Sequence, residues 1–192
     1  MTKMTKNILM LTLAGISLNG FSQDITFENR DGFFSIGTQS NRTASITLAD
    51  VDNDGDLDAL VANGRHWAEQ NYLYYNDGHG GFKYAQPIGN FLDASYSLKS
   101  ADFNGDGFMD IAVANDNIDN KIYFGNVKND YSLGVKFGSK SPIRSMEIAD
   151  VDNDGDIDIV LSNRRARNEI HLNDGRGVFD KSITFGSSSD ET

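Results

Sequence analysis

The sequence predicts an all-β chain built from repeated four-stranded antiparallel units. Acidic loops of one pattern recur about every 50 residues, at 50–58, 102–110 and 150–158. A run with two-residue alternation precedes each loop, and a short apolar run rich in β-branched residues follows it. Asn, Asp and Gly separate the segments. A recurring set of strands and turns predicts equivalent units stacked along the chain.

The first strand of each unit is expected just before its acidic loop. Residues 45–49, 97–101 and 145–149 read SITLA, SLKSA and SMEIA. All three alternate with the period of two that places successive side chains on opposite faces of a sheet. Each segment is therefore predicted to be a half-buried strand.

The acidic loops read DVDNDGDLD, DFNGDGFMD and DVDNDGDID. Positions 1, 3, 5 and 9 offer carboxylate or amide oxygens, and the Gly at position 6 permits a sharp turn. Flexible sets of oxygen ligands suit Ca²⁺. Without a cation, carboxylates packed this closely would repel one another, which argues against simple Asp/Asn/Gly turns. The sequence thus predicts about three Ca²⁺ ions, one per repeat. The position-7 residue is included through its carbonyl, and the candidate ligands are Asp50, Asp52, Asp54, Asp56, Asp58, Asp102, Asn104, Asp106, Phe108, Asp110, Asp150, Asp152, Asp154, Asp156 and Asp158.

These loops do not fit the EF-hand pattern. An EF-hand requires a bidentate Glu at position 12 and a helix on each side. Position 12 is Val61, Val113 or Leu161 here, and the flanking segments are predicted strands. The middle loop is expected to bind least tightly, because Asn104 replaces one carboxylate and Phe108 removes a nearby charge.

Three further strands complete each unit. The second strand is predicted at 59–62, 111–114 and 159–162, and the third at 71–75, 120–124 and 168–172. Turns at 76–78 and 173–175 read Asn-Asp-Gly, and a fourth strand containing an aromatic residue is expected at 81–82 and 177–179. Four short strands in about 50 residues are typical of a β-propeller blade.

The loop, the small residue before it, the apolar strand after it and the later N-D-G-x-G-x-F turn together resemble the FG-GAP/VCBS repeat. The resemblance covers about residues 25–192. It implies a calcium-stabilised β-propeller, like that of integrin α-subunits and many bacterial secreted proteins, with calcium ligands at positions 1, 3, 5 and 9 of each loop. Such propellers use their loops for recognition or to support an active site. The FG and GAP landmarks of the integrin form are not legible, so the bacterial VCBS form is the closer likeness.

About three blades are expected in 23–192, whereas closed propellers use roughly 4–8. Two explanations remain open. Either the chain is part of a longer propeller, or identical chains assemble, for example as a two-fold dimer with six blades.

Residues 1–22 are predicted to be a signal peptide. Lys3 and Lys6 precede the apolar core at 8–16, and Gly20 and Ser22 offer small residues for cleavage before Gln23. This core is too short for a membrane span. Export would place 23–192 in the periplasm, at the cell surface or in the medium. Because the chain has no Cys, metal ions would replace disulfides in stabilising it.

The net charge of −11 argues against nucleic acid as a partner, because phosphate contacts need Lys and Arg. One basic cluster, at Arg164, Arg165 and Arg167, is either a solvated loop or a contact for an anion or acidic glycan.

Two classes of function fit these features. The first is a binding or adhesion module for a glycan or protein. Its candidate contacts are His66, Trp67, Tyr72, Tyr74, Asn115, Asp116, Arg164 and Arg165. The alternative is part of a propeller-type polysaccharide lyase or another extracellular carbohydrate-active enzyme. That hypothesis has less support, because the three histidines, at 66, 79 and 171, occupy non-equivalent positions and show no Ser-His-Asp spacing.

Overall fold

The computed structural model describes Gly37 and residues 40–188. The predicted signal peptide at 1–22 lies outside these residues. Within them, all regular secondary structure is β-strand. No helix in this part of the chain is long and apolar enough to cross a membrane.

Twelve strands form three four-stranded antiparallel sheets, each in sequence order. We call the sheets blades 1, 2 and 3. Blade 1 contains β1 (Thr43–Ala49), β2 (Asp58–Asn63), β3 (Glu69–Tyr75) and β4 (Tyr84–Asp93). Blade 2 contains β5 (Ser95–Ala101), β6 (Asp110–Asn115), β7 (Asn120–Tyr123) and β8 (Gly134–Phe137). Blade 3 contains β9 (Ile143–Ala149), β10 (Asp158–Asn163), β11 (Asn168–Leu172) and β12 (Lys181–Phe185). The prediction of an all-β fold with three four-stranded blades is confirmed.

The position of the fourth strand differs from the sequence-based expectation. β4 begins at Tyr84 and β12 at Lys181, so Phe82 and Phe179 precede these strands. Phe179 is buried in the core between blades 2 and 3. Phe179 therefore anchors the turn before the fourth strand and is not part of that strand.

The blades stack with their first strands innermost. β1 lies beside β5, and β5 lies beside β9. One buried cluster joins blades 1 and 2 and includes Leu60, Leu73 and Leu98. A second joins blades 2 and 3 and includes Met146 and Ile159. Because alternate side chains on each central strand face opposite neighbours, the core consists of seams between blades.

In or just after the fourth strand of blades 1 and 2, a glycine contacts an aromatic ring on the third strand of the following blade. Gly89 has a φ of +76°, and a Cβ built there would lie 2.4 Å from the Tyr123 hydroxyl. Gly138, with a φ of +60°, stands in the same relation to His171 in blade 3. Only glycine combines this backbone conformation with so close an approach.

Buried amides and hydroxyls form a second repeated link between blades. Asn71 in blade 1 donates to the Ser95 hydroxyl, and Ser95 donates to Asn115 in blade 2. The backbone N–H of Asn115 in turn donates to the side chain of Asn120. These side chains satisfy polar groups that burial would otherwise leave unpaired.

Candidate functional site

Each acidic loop joins the first and second strands of its blade, as the sequence predicts. Gly55 and Gly155 adopt φ values of +95° and +98°, and Asn53 and Asn153 adopt φ values of +60° and +61°. The middle loop places Gly105 and Gly107 at these two positions. Two left-handed residues per loop turn the backbone so that its amide groups face the first carboxylate.

The first Asp of each loop organises the turn by accepting backbone hydrogen bonds. Asp50 accepts from the N–H groups of Asp54 and Gly55, both at 3.1 Å. Asp150 accepts from Asp154 and Gly155 at 3.2 and 3.1 Å. These bonds preorganise the loop around a carboxylate whose remaining lone pairs are available to a ligand.

The ninth residue ties the acidic loop to the end of the third strand. Asp58 is fully buried, and its two oxygens accept from the N–H groups of Val51 at 3.1 Å and Asn76 at 2.9 Å. Its equivalents in blades 2 and 3, Asp110 and Asp158, make the corresponding pairs of bonds. Each of these carboxylates holds three segments of its blade together.

The structure brings three of the predicted ligands together in each of two loops. Ligand oxygens of Asp50, Asp52 and Asp58 lie within 4.8 Å of one another, and those of Asp150, Asp152 and Asp158 do the same. Among the described residues, these are the two groups of at least three His, Cys, Asp or Glu side chains with such spacing.

The carboxylates at positions 5 and 7 lie outside these groups. Asp54 accepts from the N–H of Asp56 at 2.9 Å. The Asp56 carboxylate lies against Gly78, and the Asp156 carboxylate lies against Gly175 in the equivalent turn. The position-7 side chains therefore face the turn between the third and fourth strands.

The acidic groups perturb one another electrostatically. Burial raises the pKa of Asp52, and the neighbouring charges of Asp58 and Asp54 raise it further. Burial also raises the pKa of Asp58, against the effect of its two backbone hydrogen bonds. Burial raises the pKa of Asp110 to about 6. A cation at these loops would favour the ionised carboxylates and offset their repulsion.

The middle loop has a different side-chain arrangement. The Asn104 amide nitrogen donates to Asp106 at 3.0 Å, and Asp106 also accepts from the N–H of Phe108 at 2.9 Å. Asp102 accepts from Gly105, Asp106 and Gly107. In this loop the Asp106 carboxylate thus accepts from the amide of Asn104, which stands at the position that Asp52 and Asp152 occupy in the other loops.

The donor set suits a hard divalent cation. Every side-chain donor in the two groups is a carboxylate oxygen, which is the ligand type that Ca²⁺ prefers. The residues of loops 1 and 3 therefore fit the predicted ion in chemistry and in proximity.

A second polar cluster lies at the opposite ends of the blades, where the second strand turns into the third. The Nδ1 atom of His66 is 2.9 Å from Asp116 Oδ2, and its Nε2 atom is 3.1 Å from the Tyr96 hydroxyl. The Arg164 guanidinium donates to Asp116 Oδ1 at 2.7 Å and lies 5.3 Å from the centre of the Tyr96 ring. This His66 cluster joins residues from all three blades.

The other candidate contacts have different environments. Tyr74 and Asn115 are buried, and Asn115 belongs to the link between blades. Trp67 is 64% exposed, with the Arg42 guanidinium 5.5 Å from its ring. Arg165 has a φ of +55°, like Arg65 and Asn117 at the equivalent positions of blades 1 and 2.

Sequence reasoning missed that the turns between the third and fourth strands form hydrogen bonds with the acidic loops. Asn173 in blade 3 donates to the Phe103 carbonyl in the middle loop at 2.8 Å. Asn76 donates to the Leu57 carbonyl within blade 1. The recurring Asn-Asp-Gly turn was a visible signal, but its contact with an acidic loop depends on the stacking of the blades.

The family model of the FG-GAP-like repeat matches this sequence twice, over residues 50–113 and 102–161. Each match begins at an acidic loop and ends within the second strand of the following blade. Together the matches span more than half of the chain.

Among solved structures, this chain is similar to one in the crystal structure of BBS1N in complex with ARL6DN, soaked with mercury. The two sequences are 17% identical, and the TM-score is 0.49. The alignment covers 77% of this chain and 41% of the other. This chain thus spans about two fifths of the length of that relative. A comparison with curated proteins finds no match.

Proposed function

Because the chain belongs to the family of FG-GAP-like repeats, we propose that it is an exported, calcium-stabilised β-propeller module that binds a glycan or protein. The carboxylate groups at equivalent loops of blades 1 and 3 carry this proposal. Calcium would be held by Asp50, Asp52 and Asp58 in blade 1, and by Asp150, Asp152 and Asp158 in blade 3.

The role of the ion follows from the positions of these residues. Asp58 and Asp158 already connect the loop, the second strand and the following turn through backbone hydrogen bonds. A cation at the loop would neutralise repelling carboxylates and add a further link between these segments. The ion would therefore stabilise the module and would leave the opposite ends of the blades free for recognition.

Calcium titration of the full chain by calorimetry tests the metal sites. We expect dissociation constants on the order of 10⁻⁴–10⁻³ M, as in extracellular calcium modules. Asp52→Asn and Asp152→Asn should each remove one site. Asp180→Asn is the matched control, because Asp180 is an exposed carboxylate outside the loops. A stoichiometry that is the same in all four proteins would contradict the proposal.

Export can be tested separately. The charged start, apolar core and small residues of 1–22 support cleavage before Gln23. Mass spectrometry of the protein from the medium or periplasm should find an N-terminus at Gln23. Recovery of an uncleaved chain in the cytoplasm alone would refute export.

The His66 cluster favours a second candidate function, as part of a lyase acting on an acidic polysaccharide. Its imidazole lies within hydrogen-bond distance of the Tyr96 hydroxyl, and both groups can move protons. Removal of the proton beside the sugar's carboxyl group and departure of the glycosidic oxygen would create a carbon–carbon double bond that absorbs ultraviolet light. Absorbance that rises with wild type and not with His66→Ala would support this function, and a flat trace with both proteins would leave recognition as the activity.

A further inference from the structure

We propose that a cavity between the innermost strands binds a negatively charged sugar, an inference that rests on the proposed recognition function and names its ligand class. The cavity has a volume of about 480 Å³, within the range of small-molecule sites. Its walls come from β1, β5 and β9 and from the turn after β2. All three blades thus contribute to one concave site.

The charged side chains that line this cavity are mostly positive, whereas the whole chain is negative. Arg65, Lys99 and Arg144 line it together with a single acidic side chain, Glu147. Lys99 pairs with Glu147 at 2.8 Å. No described residue forms an ion pair or hydrogen bond with the side chain of Arg65 or Arg144. Two guanidinium groups therefore remain available in a protein of net charge −11.

The neighbouring arginine cluster has other partners. Arg164 is engaged by Asp116, and Arg167 donates to the Thr184 carbonyl at 3.2 Å. Asp116 also holds His66 at the rim of the cavity. We therefore assign the anion contact to Arg65 and Arg144, in place of the cluster of Arg164, Arg165 and Arg167 that the sequence suggests. Planar guanidinium groups bind carboxylate and sulfate through paired hydrogen bonds.

Hydroxyl groups favour a sugar over an acidic peptide. Ser45, Thr47, Ser97, Ser145 and Tyr96 all line the cavity. The buried Ser45 hydroxyl has no hydrogen-bond partner among the described residues. The Tyr96 hydroxyl can donate to His66 and still accept from a ligand. Peptide sites usually bury large apolar anchors, and the apolar lining residues here are Ala44, Ile46 and Met146.

Calorimetric titration of the full chain in millimolar Ca²⁺ tests the proposal with matched disaccharides. One carries a uronate carboxylate, one is its neutral carboxyl-reduced counterpart and one carries a sulfate. We expect the uronate or the sulfate form, or both, to bind about ten-fold more tightly than the neutral form. Whichever of the two binds more tightly identifies the anionic group.

Two variants remove the proposed contacts without disturbing the fold. Arg65→Asn installs the residue that adopts the same left-handed conformation at Asn117, where φ is +59°. Arg144→Gln changes an exposed side chain on β9. Each should weaken binding of the anionic disaccharide about ten-fold. Arg176→Gln is the control, because Arg176 is exposed on the turn beside the acidic loop of blade 3 and should leave the affinity unchanged.

Glu147→Gln supplies a test with the opposite sign. Removal of the single acidic side chain should strengthen anion binding about two- to five-fold. Equal affinity for the neutral sugar, no binding of any disaccharide, or arginine variants that bind like wild type would overturn the proposal. Preferential binding of an acidic hexapeptide would overturn the sugar assignment.

The calcium response separates this test from the test of the proposed function. Neither arginine variant touches an acidic loop, so calcium should stabilise both variants as it stabilises wild type. If calcium raises the melting temperature and no anionic sugar binds, the anion site alone is refuted. If calcium leaves the melting temperature unchanged, the proposed calcium-stabilised module is refuted, whether or not a sugar binds.

Discussion

At the scale of single residues, the fold depends on carboxylates that bind two segments at once and on glycines that let two segments approach closely. Asp58, Asp110 and Asp158 each accept two backbone hydrogen bonds from different segments. Gly89 and Gly138 give room to a ring from the next blade. The Asp positions hold the loop in place within each blade, and the Gly positions allow neighbouring blades to pack closely.

Gly89→Ala should destabilise the protein by about 2–4 kcal/mol, through left-handed strain together with overpacking against Tyr123. The matched control is Gly80→Ala, because Gly80 has a φ of +78° and nothing within 4 Å of a built Cβ. That variant carries the strain alone and should lose about 1–2 kcal/mol. Urea unfolding of both variants measures the difference, and equal losses would refute the packing role of Gly89.

At the scale of elements, the acidic loops are alike in backbone and unequal in side chains. Loops 1 and 3 group three carboxylates each. The middle loop replaces one of them with Asn104, whose amide donates to Asp106. A shared turn thus presents different charges in different blades.

In excess Ca²⁺, Asp50→Ala and Asp150→Ala should each lower the melting temperature by several degrees, because each removes a carboxylate and the backbone hydrogen bonds that it accepts. Asp102→Ala should lower the calcium-dependent part of the stability least, since the middle loop offers fewer carboxylates. Thermal scans with and without EDTA separate the ion's contribution from that of the hydrogen bonds. Variants that melt with wild type in calcium would contradict the role of loops 1 and 3.

The sequence predicted the elements better than the contacts between them. Two-residue alternation and the repeated acidic loop located the first three strands of each blade, because these signals are local. The position of the fourth strand was predicted wrongly, because Phe179 is buried between blades 2 and 3 and does not belong to a strand. The meeting of His66, Asp116 and Arg164 depends on the stacking of three blades, which no local pattern encodes.

At the scale of the whole molecule, the outward faces of blades 1 and 3 resemble the faces that pack within the seams. Val51 and Phe103 are each 1% exposed between blades, whereas Val151 at the same position of blade 3 is 40% exposed. Val160, Ile170 and Ile183 form one row across blade 3. Ile46 and Leu48 are more than half exposed on blade 1. Either further blades of a longer propeller or a second copy of the chain in a two-fold assembly would cover these apolar faces.

Light scattering of the chain in calcium distinguishes the two, because the two-fold assembly predicts the mass of two copies. Ile183→Lys places a charge on the outward face, where Ile183 is 51% exposed, and should reduce the mass to that of one copy. Ser182→Lys lies on the opposite face of the same strand and should leave the mass unchanged. A single-copy mass for wild type at all concentrations would exclude the assembly.

The central claim is that calcium at the acidic loops stabilises the propeller module. The most direct test is the melting temperature of the full chain, recorded by circular dichroism in millimolar Ca²⁺ and in EDTA, alongside the double variant Asp52→Asn/Asp152→Asn. We predict a transition that rises with calcium concentration in wild type and that responds far less in the double variant. Identical melting of wild type in calcium and in EDTA would contradict the account.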